Sequence, residues 1–478
     1  MHVKSQILIQ TSGALIVFFL FLMAPPAQAQ NNITFKAEPS VPLLEEFKPL
    51  LQVKLNQVSY ISESLYDHTH QQQVEVQLGH VQTGFIFSES RVVIGTFTEP
   101  KSFYFAAPQF YVGFGDQKQS FMAVGRLKKN FNFLDSFYNL GLYNSYFSND
   151  FIDYKEQGLT GLHFQLSNGF VGAYVGIDPY FLPNQEPQVH EDAGTLVSSN
   201  RWAQRPPPQF QFAQQNRKIE YAIRDYKLNE IIENPGQVAS FFIGGHDQRP
   251  FFQLSYANHP LNEIPLTRDT YGSANDFVGH VNLSPVVTYH EVGSADLNLD
   301  FEPVQLTLSY AEDKVRNKTA SESETLQHLN PLKVYGASIS ANLKNWADRV
   351  LILSLCTAEF KGGEIIDLTQ DGKESIFTFS SARTRFRSPT TLGLSTELFL
   401  FNSHPLKSQL RWTYDRTYKG TLASLNFSIE TLNHVELNVG ADVIGVEQKL
   451  PANTDANSNF LDRNQANDRV YGGLQYDF

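Results

Sequence analysis

Three arginines at alternate positions are the residues of this sequence best placed to act on a charged solute. Arg383, Arg385 and Arg387 would share one face of an extended segment, and Arg411 is expected two strands further along. Because clustered guanidinium groups concentrate anions, this face is predicted to attract negatively charged solutes. The alternative is that the arginines pair with acidic side chains and stiffen the protein.

An acidic face is predicted on another alternating segment. Asp296, Asp300 and Glu302 would lie on its inner side, whereas apolar residues alternate with them on the outer side. These carboxylates would either filter solutes by charge or pair with the arginines, and both interpretations remain open.

Groups that could perform catalysis are scattered. No serine lies in a segment that resembles the nucleophile elbow of hydrolases. Among the 13 histidines, His68 and His70 are the one close pair, which without further ligands is a weak metal site. Cys356 is the only cysteine, so the chain has neither a haem-attachment motif nor an internal disulfide. The sequence therefore predicts no catalytic residues, no metal site, no cofactor and no enzymatic activity.

The elements that must position these residues are strands. Residues 421–431 and 435–443 each place apolar side chains on one face and polar side chains on the other. Similar segments recur upstream as far as residue 74. Their lengths approach the roughly nine to eleven residues that a tilted strand needs to cross a bilayer. Counting them predicts about 18 strands, within a range of about 16 to 20.

The C-terminal residues have the most specific pattern in the chain. Val470, Leu474, Tyr476 and the final Phe478 fall on one side of an extended strand, and the other side is mostly polar. This segment resembles the terminal strand of Gram-negative outer-membrane β-barrels, in which a C-terminal phenylalanine is the commonest membrane-insertion signature. The resemblance implies an all-β fold, a single transmembrane antiparallel β-barrel, and a location in the outer membrane of a Gram-negative bacterium.

The chain divides into three parts by pattern. Residues 1–29 are predicted to be a secretory signal peptide, with Lys4, an apolar stretch, and a small-x-small site at residues 27–29. Residues 30–72 are predicted to be a periplasmic N-terminal segment or a small plug, and residues 73–478 the barrel. Long loops are expected where alternation fails, near residues 126–158, 179–216 and 448–467.

Composition agrees with this architecture. Hydrophobic residues make up 41% of the chain and its mean hydropathy is −0.28, as expected where alternate residues face water. The 38 Phe and 21 Tyr would supply the aromatic girdles of a membrane barrel. The net charge of −12, without an evident basic face, argues against nucleic acid as a partner.

The resemblance implies a porin-like channel for passive or substrate-specific passage of small polar solutes, and the arginine face adds a preference for anions. Two other functions remain open: an export pore for an extracellular polysaccharide, and a structural or adhesive surface barrel without transport. The partners implied are outer-membrane lipid and lipopolysaccharide, the barrel-assembly machinery and periplasmic chaperones, and a small polar solute or a polysaccharide.

Overall fold

The fold was analysed in a computed structural model. The structure describes residues 45–61, 70–98, 102–117, 119–187, 189–198, 200–203, 206, 208–212, 215–224, 234–244, 250–272, 278–319, 324–344, 349–373, 382–401, 404–432, 434–447 and 459–478. The predicted signal peptide and most of the predicted loop near residues 448–467 lie outside the described residues.

Eighteen antiparallel strands form one closed sheet. They are β1 (Glu46–Tyr60), β2 (His70–Thr83), β3 (Ile86–Phe97), β4 (Ser102–Gly115), β5 (Phe121–Leu127), β6 (Leu159–Ser167), β7 (Val171–Tyr180), β8 (Gly236–Ile243), β9 (Phe252–Pro260), β10 (Tyr289–Phe301), β11 (Val304–Arg316), β12 (Leu332–Lys344), β13 (Val350–Gly362), β14 (Pro389–Phe401), β15 (His404–Asp415), β16 (Gly420–Leu432), β17 (Val435–Val446) and β18 (Arg469–Asp477). Each strand pairs with the next, and β18 pairs with β1 to close the barrel. The predicted fold class and strand number are confirmed.

The barrel begins earlier than the sequence analysis predicted. β1 lies within residues 30–72, which were assigned to a periplasmic segment or small plug, yet it pairs with β2 from Glu46 to Ser59 and with β18 from Gln52 to Tyr60. Its outward face follows the usual alternation, with Phe47 and Leu55 exposed. In the sequence, Pro49 is a residue that strands disfavour, and Leu50 places an apolar side chain on the otherwise polar face. The alternation of β1 was therefore not recognised. The boundary at residue 73 is therefore wrong.

The two faces of the barrel wall differ in chemistry. On β17, Val439 and Val443 point outward and are exposed, whereas Asp442 and Ile444 point into the lumen and are buried. This is the pattern of a wall that has lipid outside and polar or packed groups inside. Within the described part of the chain, no helix is long and apolar enough to cross a membrane.

The two ends of the barrel also differ. At one end, which we call the short-turn rim, consecutive strands are joined by tight connections such as residues 84–85 and 302–303, and the chain ends there. At the other end, the long-loop rim, the connections include residues 128–158, 181–235 and 261–288. In bacterial outer-membrane barrels, short turns face the periplasm and long loops face the outside.

Parts of the long loops form a second sheet of six strands. In spatial order these are Gln209–Phe212, Gln215–Ile223, Gly279–Pro285, Leu266–Gly272, Glu324–Leu329 and Ile365–Leu368. Across this sheet, Arg268 and Asp367 form a buried ion pair of 2.8 Å. Loops from four connections are therefore joined by backbone pairing.

Residues 128–158, which we call the plug, fold into the lumen. The plug contains helix α1 (Phe133–Tyr138) and a hairpin of Ser145–Ser148 with Tyr154–Gln157. Its apolar residues Leu134 and Tyr143 have no exposed surface and belong to a cluster with inward-facing residues of the wall. A second short helix, α2 (Phe460–Asn464), precedes β18 and joins the same cluster.

Candidate lumen site

The start of α1 is fixed to the barrel wall by Asp296 on β10. The Asp296 carboxylate accepts hydrogen bonds from Asn132 Nδ2 at 2.8 Å and from the Phe133 amide at 2.7 Å, and Ser309 Oγ on β11 donates a third at 2.5 Å. Asn132 is also the N-cap of α1, since its Oδ1 accepts from the Asp135 amide at 3.0 Å. One side chain thus both caps the helix and attaches it to the wall.

Further polar contacts join the plug to β9 and β10. The Tyr143 hydroxyl lies 2.7 Å from Ser294 Oγ on β10 and donates to the Ser255 carbonyl on β9 at 3.2 Å. Ser255 Oγ donates to the Phe131 carbonyl at 2.9 Å. These short inward-facing serines let the plug backbone approach the wall closely and satisfy buried polar groups there.

Asp135 holds the plug together from within. Its carboxylate accepts from the backbone amides of Leu142 at 2.9 Å and Tyr143 at 3.1 Å, which brings the segment after α1 back against the helix. Burial raises the pKa of Asp135 to about 7, outweighing the opposing effect of these amide bonds. A substantial part of this buried carboxyl is therefore protonated at neutral pH.

Arg385 and Arg411 both donate to the plug backbone. Arg385 donates to the carbonyls of Tyr138 at 2.8 Å and Phe151 at 2.6 Å, and its guanidinium lies 4.3 Å from the Tyr154 ring centroid. Arg411 on β15 donates to the Phe137 carbonyl at 2.8 Å and keeps an exposed side chain. Among the described residues, neither guanidinium has a carboxylate within ion-pair distance.

Arg383 and Arg387 instead bind carboxylates. Arg383 donates to Asp313 on β11 at 2.5 Å, and Asp313 also contacts His290 Nδ1 at 2.9 Å. Arg387 pairs with Glu364 and donates to the Gly362 carbonyl. The arginine segment is not a barrel strand, since residues 383–388 form bends that lead into β14, and Arg411 lies on the next strand, β15.

Two of the three predicted acidic residues lie away from the plug. Asp300 is exposed near the end of β10, and Glu302 is exposed in the turn that follows it. Only Asp296 is buried against the plug. The predicted set of three therefore occupies two environments.

The C-terminal residues lie on the outer face of β18. Val470, Leu474 and Phe478 are exposed, and the rings of Tyr476 and Phe478 are in edge contact, with centroids 4.4 Å apart. The Phe478 amide donates to the Leu51 carbonyl of β1 at 2.9 Å, so the last residue is part of the seam that closes the barrel.

Arg469, which the sequence analysis did not select, joins the plug to the seam. It lies on β18 and pairs with Asp442 on β17 at 2.6 Å and with Asp150 of the plug at 2.8 Å. Burial would raise the pKa of Asp150, but the Arg469 guanidinium and the backbone amides of Ile152 and Asp153 together outweigh burial and hold that pKa below its usual range. The alternation of the last two strands places Arg469 and Asp442 on the lumen side, so their pairing could have been predicted from the sequence. Nothing in the sequence indicates the contact with Asp150.

Lys129, the second residue of the plug, adds a positive charge at its N-terminal end. Its ammonium donates to Gln165 at 2.8 Å and lies 4.8 Å from the Tyr174 ring centroid. Burial lowers the pKa of Lys129 to about 8, so the side chain remains mostly charged at neutral pH. The plug, the segment before β14 and the wall strand β15 thus contribute the positive charges of Lys129, Arg385 and Arg411, none of which forms an ion pair with a described carboxylate.

The fold defines the chain as a closed, 18-stranded antiparallel β-barrel built like those of bacterial outer membranes. The closed wall, the exposed apolar outer face and the asymmetric rims are the features of that class.

No family model matches the chain, and no curated protein is similar to it in sequence. Solved structures resemble it in fold. Pseudomonas aeruginosa OccK2 in complex with glucuronate shares 9% identity over 92% of this chain and 99% of its own, with a TM-score of 0.46. The outer-membrane protein OprD of the same organism shares 10% identity over 91% of this chain and 94% of its own, with a TM-score of 0.41. Wzi of Escherichia coli, a carbohydrate-binding β-barrel, shares 8% identity over 90% of this chain and 85% of its own, with a TM-score of 0.40. At these identities the likeness is one of fold alone.

Proposed function

We propose that this protein is a narrow, substrate-selective channel for small polar solutes, with a preference for anions. The observation that carries the proposal is the plug: it crosses the lumen and is held by residues on β10, β15 and β18, which lie on different sides of the barrel. A lumen narrowed in this way admits small solutes and lets wall charges act at short range.

The predicted anion preference is assigned here to two of the four arginines. Arg383 and Arg387 are neutralised by Asp313 and Glu364, so they contribute little field to the lumen. Arg385 and Arg411 donate to carbonyl oxygens and form no ion pair with a described carboxylate, although Glu186 partly offsets the charge of Arg385. An anion that passes α1 would meet these two guanidinium groups in a medium of reduced dielectric constant.

Planar-bilayer recording tests this proposal. We expect the folded protein to conduct ions and its reversal potential in a salt gradient to indicate anion preference. Arg411→Gln should shift the reversal potential toward cations at about 0.1 M salt and much less at about 1 M, where the Debye length falls to about 3 Å. The matched control is Arg416→Gln, because Arg416 is half exposed and pairs with Glu359 on the outer side. Equal reversal potentials for Arg411→Gln and the unmodified protein would refute the anion assignment.

A structural or adhesive surface barrel is the second candidate. It is favoured by the apolar packing of the plug, in which Leu134, Leu142 and Tyr143 are almost completely buried. A lumen filled in this way stabilises the wall and need not conduct. The same recordings decide: heat-modifiable, membrane-inserted protein with no conductance at any voltage would support this function and refute the channel.

A further inference from the structure

A depression of about 590 Å³ lies on the wall across β9 to β13. Half-buried alanines, Ala295 and Ala337, form low points in it, and the larger side chains of Leu308, Tyr310 and Tyr335 stand beside them. Leu308, Tyr310 and Tyr335 are exposed on the outer face of the wall. The depression is thus an apolar groove that opens toward lipid, and it is separate from the lumen.

Basic side chains gather at the upper end of this groove, on the long-loop rim. They are Lys314, Arg316, Lys333, Lys361 and Arg416. Three carboxylates lie among them: Glu291, Glu312 and Glu359. The cluster therefore has a net positive charge.

The basic cluster is continuous with the groove. Arg416 and Glu359 line both, and the Lys361 ammonium lies 5.2 Å from the ring centroid of Tyr335, a groove residue. An apolar groove in the membrane face that ends at a cationic rim matches a ligand with acyl chains and an anionic headgroup. The long-loop rim corresponds to the outer leaflet, where such lipids are phosphorylated glycolipids.

We propose that this surface is a binding site for a phosphorylated, multiply acylated glycolipid of the outer leaflet. An acyl chain would lie along Ala295 and Ala337, and the phosphates would contact Lys333, Lys361 and Arg416. The site does not depend on whether the lumen conducts.

Native mass spectrometry of the full-length folded protein with diphosphoryl lipid A tests the proposal. Two variants act on different halves of the ligand: Lys333→Glu with Lys361→Glu reverses two rim charges, and Ala337→Phe fills the groove. We expect each to weaken lipid A binding by about tenfold or more. Phosphatidylglycerol, which carries a single negative charge and only two acyl chains, should bind the unmodified protein more weakly than lipid A.

Matched controls separate a specific site from a general surface effect. Lys48→Glu changes an exposed lysine that is paired with Glu46 at the opposite rim, as Lys333 is paired with Glu312. Ala441→Phe enlarges an alanine on β17, away from the groove. Both should bind lipid A as the unmodified protein does, and heat-modifiability checks that every variant is folded. Binding that is unaffected by the rim charges, or by Ala337→Phe, would overturn the proposal, as would equal affinity for phosphatidylglycerol.

Discussion

Arg469 balances the charge of two carboxylates at the seam of the barrel. It is the ion-pair partner of Asp442 on the neighbouring strand and of Asp150 in the plug. Arg469→Gln would leave two buried carboxylates without their cation. We expect the free energy of unfolding to fall by about 3 to 5 kcal/mol, measured by urea titration of the liposome-inserted protein.

The control for this loss is Arg416→Gln. Its ion pair with Glu359 is of similar length, 2.7 Å, but both side chains are at least a third exposed. A surface pair of this kind contributes about 0 to 1 kcal/mol. Losses of equal size in the two variants would show that burial of the Arg469 cluster has no energetic consequence.

Asp135 makes plug stability depend on pH. Since its pKa is raised from 3.8 to about 7, its stabilising contribution is complete below about pH 4 and is lost as pH rises to about 7. We expect the amides of residues 133–143 to exchange hydrogen faster at pH 8 than at pH 5, after correction for intrinsic rates. Asp135→Asn should abolish this difference while keeping an acceptor for the Leu142 amide. An unchanged pH dependence in that variant would show that a group other than Asp135 causes the effect.

At the scale of elements, α1 is held in the lumen by a carboxylate from the wall. Asp296→Ala would remove the acceptor of Asn132 Nδ2 and of the Phe133 amide. Hydrogen bonds to charged groups contribute about 1.5 to 3 kcal/mol, so amide protection in α1 should fall by about 10- to 100-fold. Hydrogen exchange measures this directly, and channel recordings should become noisier. Asp300→Ala, on the same strand but exposed, should change neither.

Strands were predicted correctly from the sequence where apolar and polar residues alternate. Residues 423–430 of β16 and 435–443 of β17 alternate regularly, so their faces could be assigned from the residues alone. The segment with Arg383, Arg385 and Arg387 also shows an alternating pattern, but it is a bent loop and not a strand. Each of the three arginines binds a different partner there. Alternation alone cannot distinguish these two cases.

The plug contacts could not be predicted for a different reason. The ion pair of Asp150 and Arg469 joins residues 319 positions apart, and no local pattern specifies such a pairing. By contrast, the number of strands and the closing strand follow from local composition and from the membrane's demand for alternating faces. The barrel was therefore largely predictable, whereas the assignment of particular charged residues to the lumen site was not.

At the scale of the whole molecule, β18 completes the sheet. It pairs with β17 on one side and β1 on the other, so its loss would leave two unpaired edges in the membrane. Deletion of β18, or Phe478→Ser, should block insertion and leave the chain with periplasmic chaperones and proteases. Fractionation with a heat-modifiability gel measures this outcome. Normal amounts of heat-modifiable protein in the outer membrane would contradict the role assigned to this strand.

The ion pair between Arg469 and Asp150 also bears on the order in which parts of the barrel assemble. The plug is synthesised in the first third of the chain, but its partner lies on the last strand to be made. Until that strand arrives, Leu134 and Tyr143 have no completed wall to pack against. The ion pair with Arg469 can therefore form only once β18 is in place, so the plug completes its contacts with the wall as the seam closes. A barrel whose seam is still open therefore lacks the connection that joins the plug to both β17 and β18.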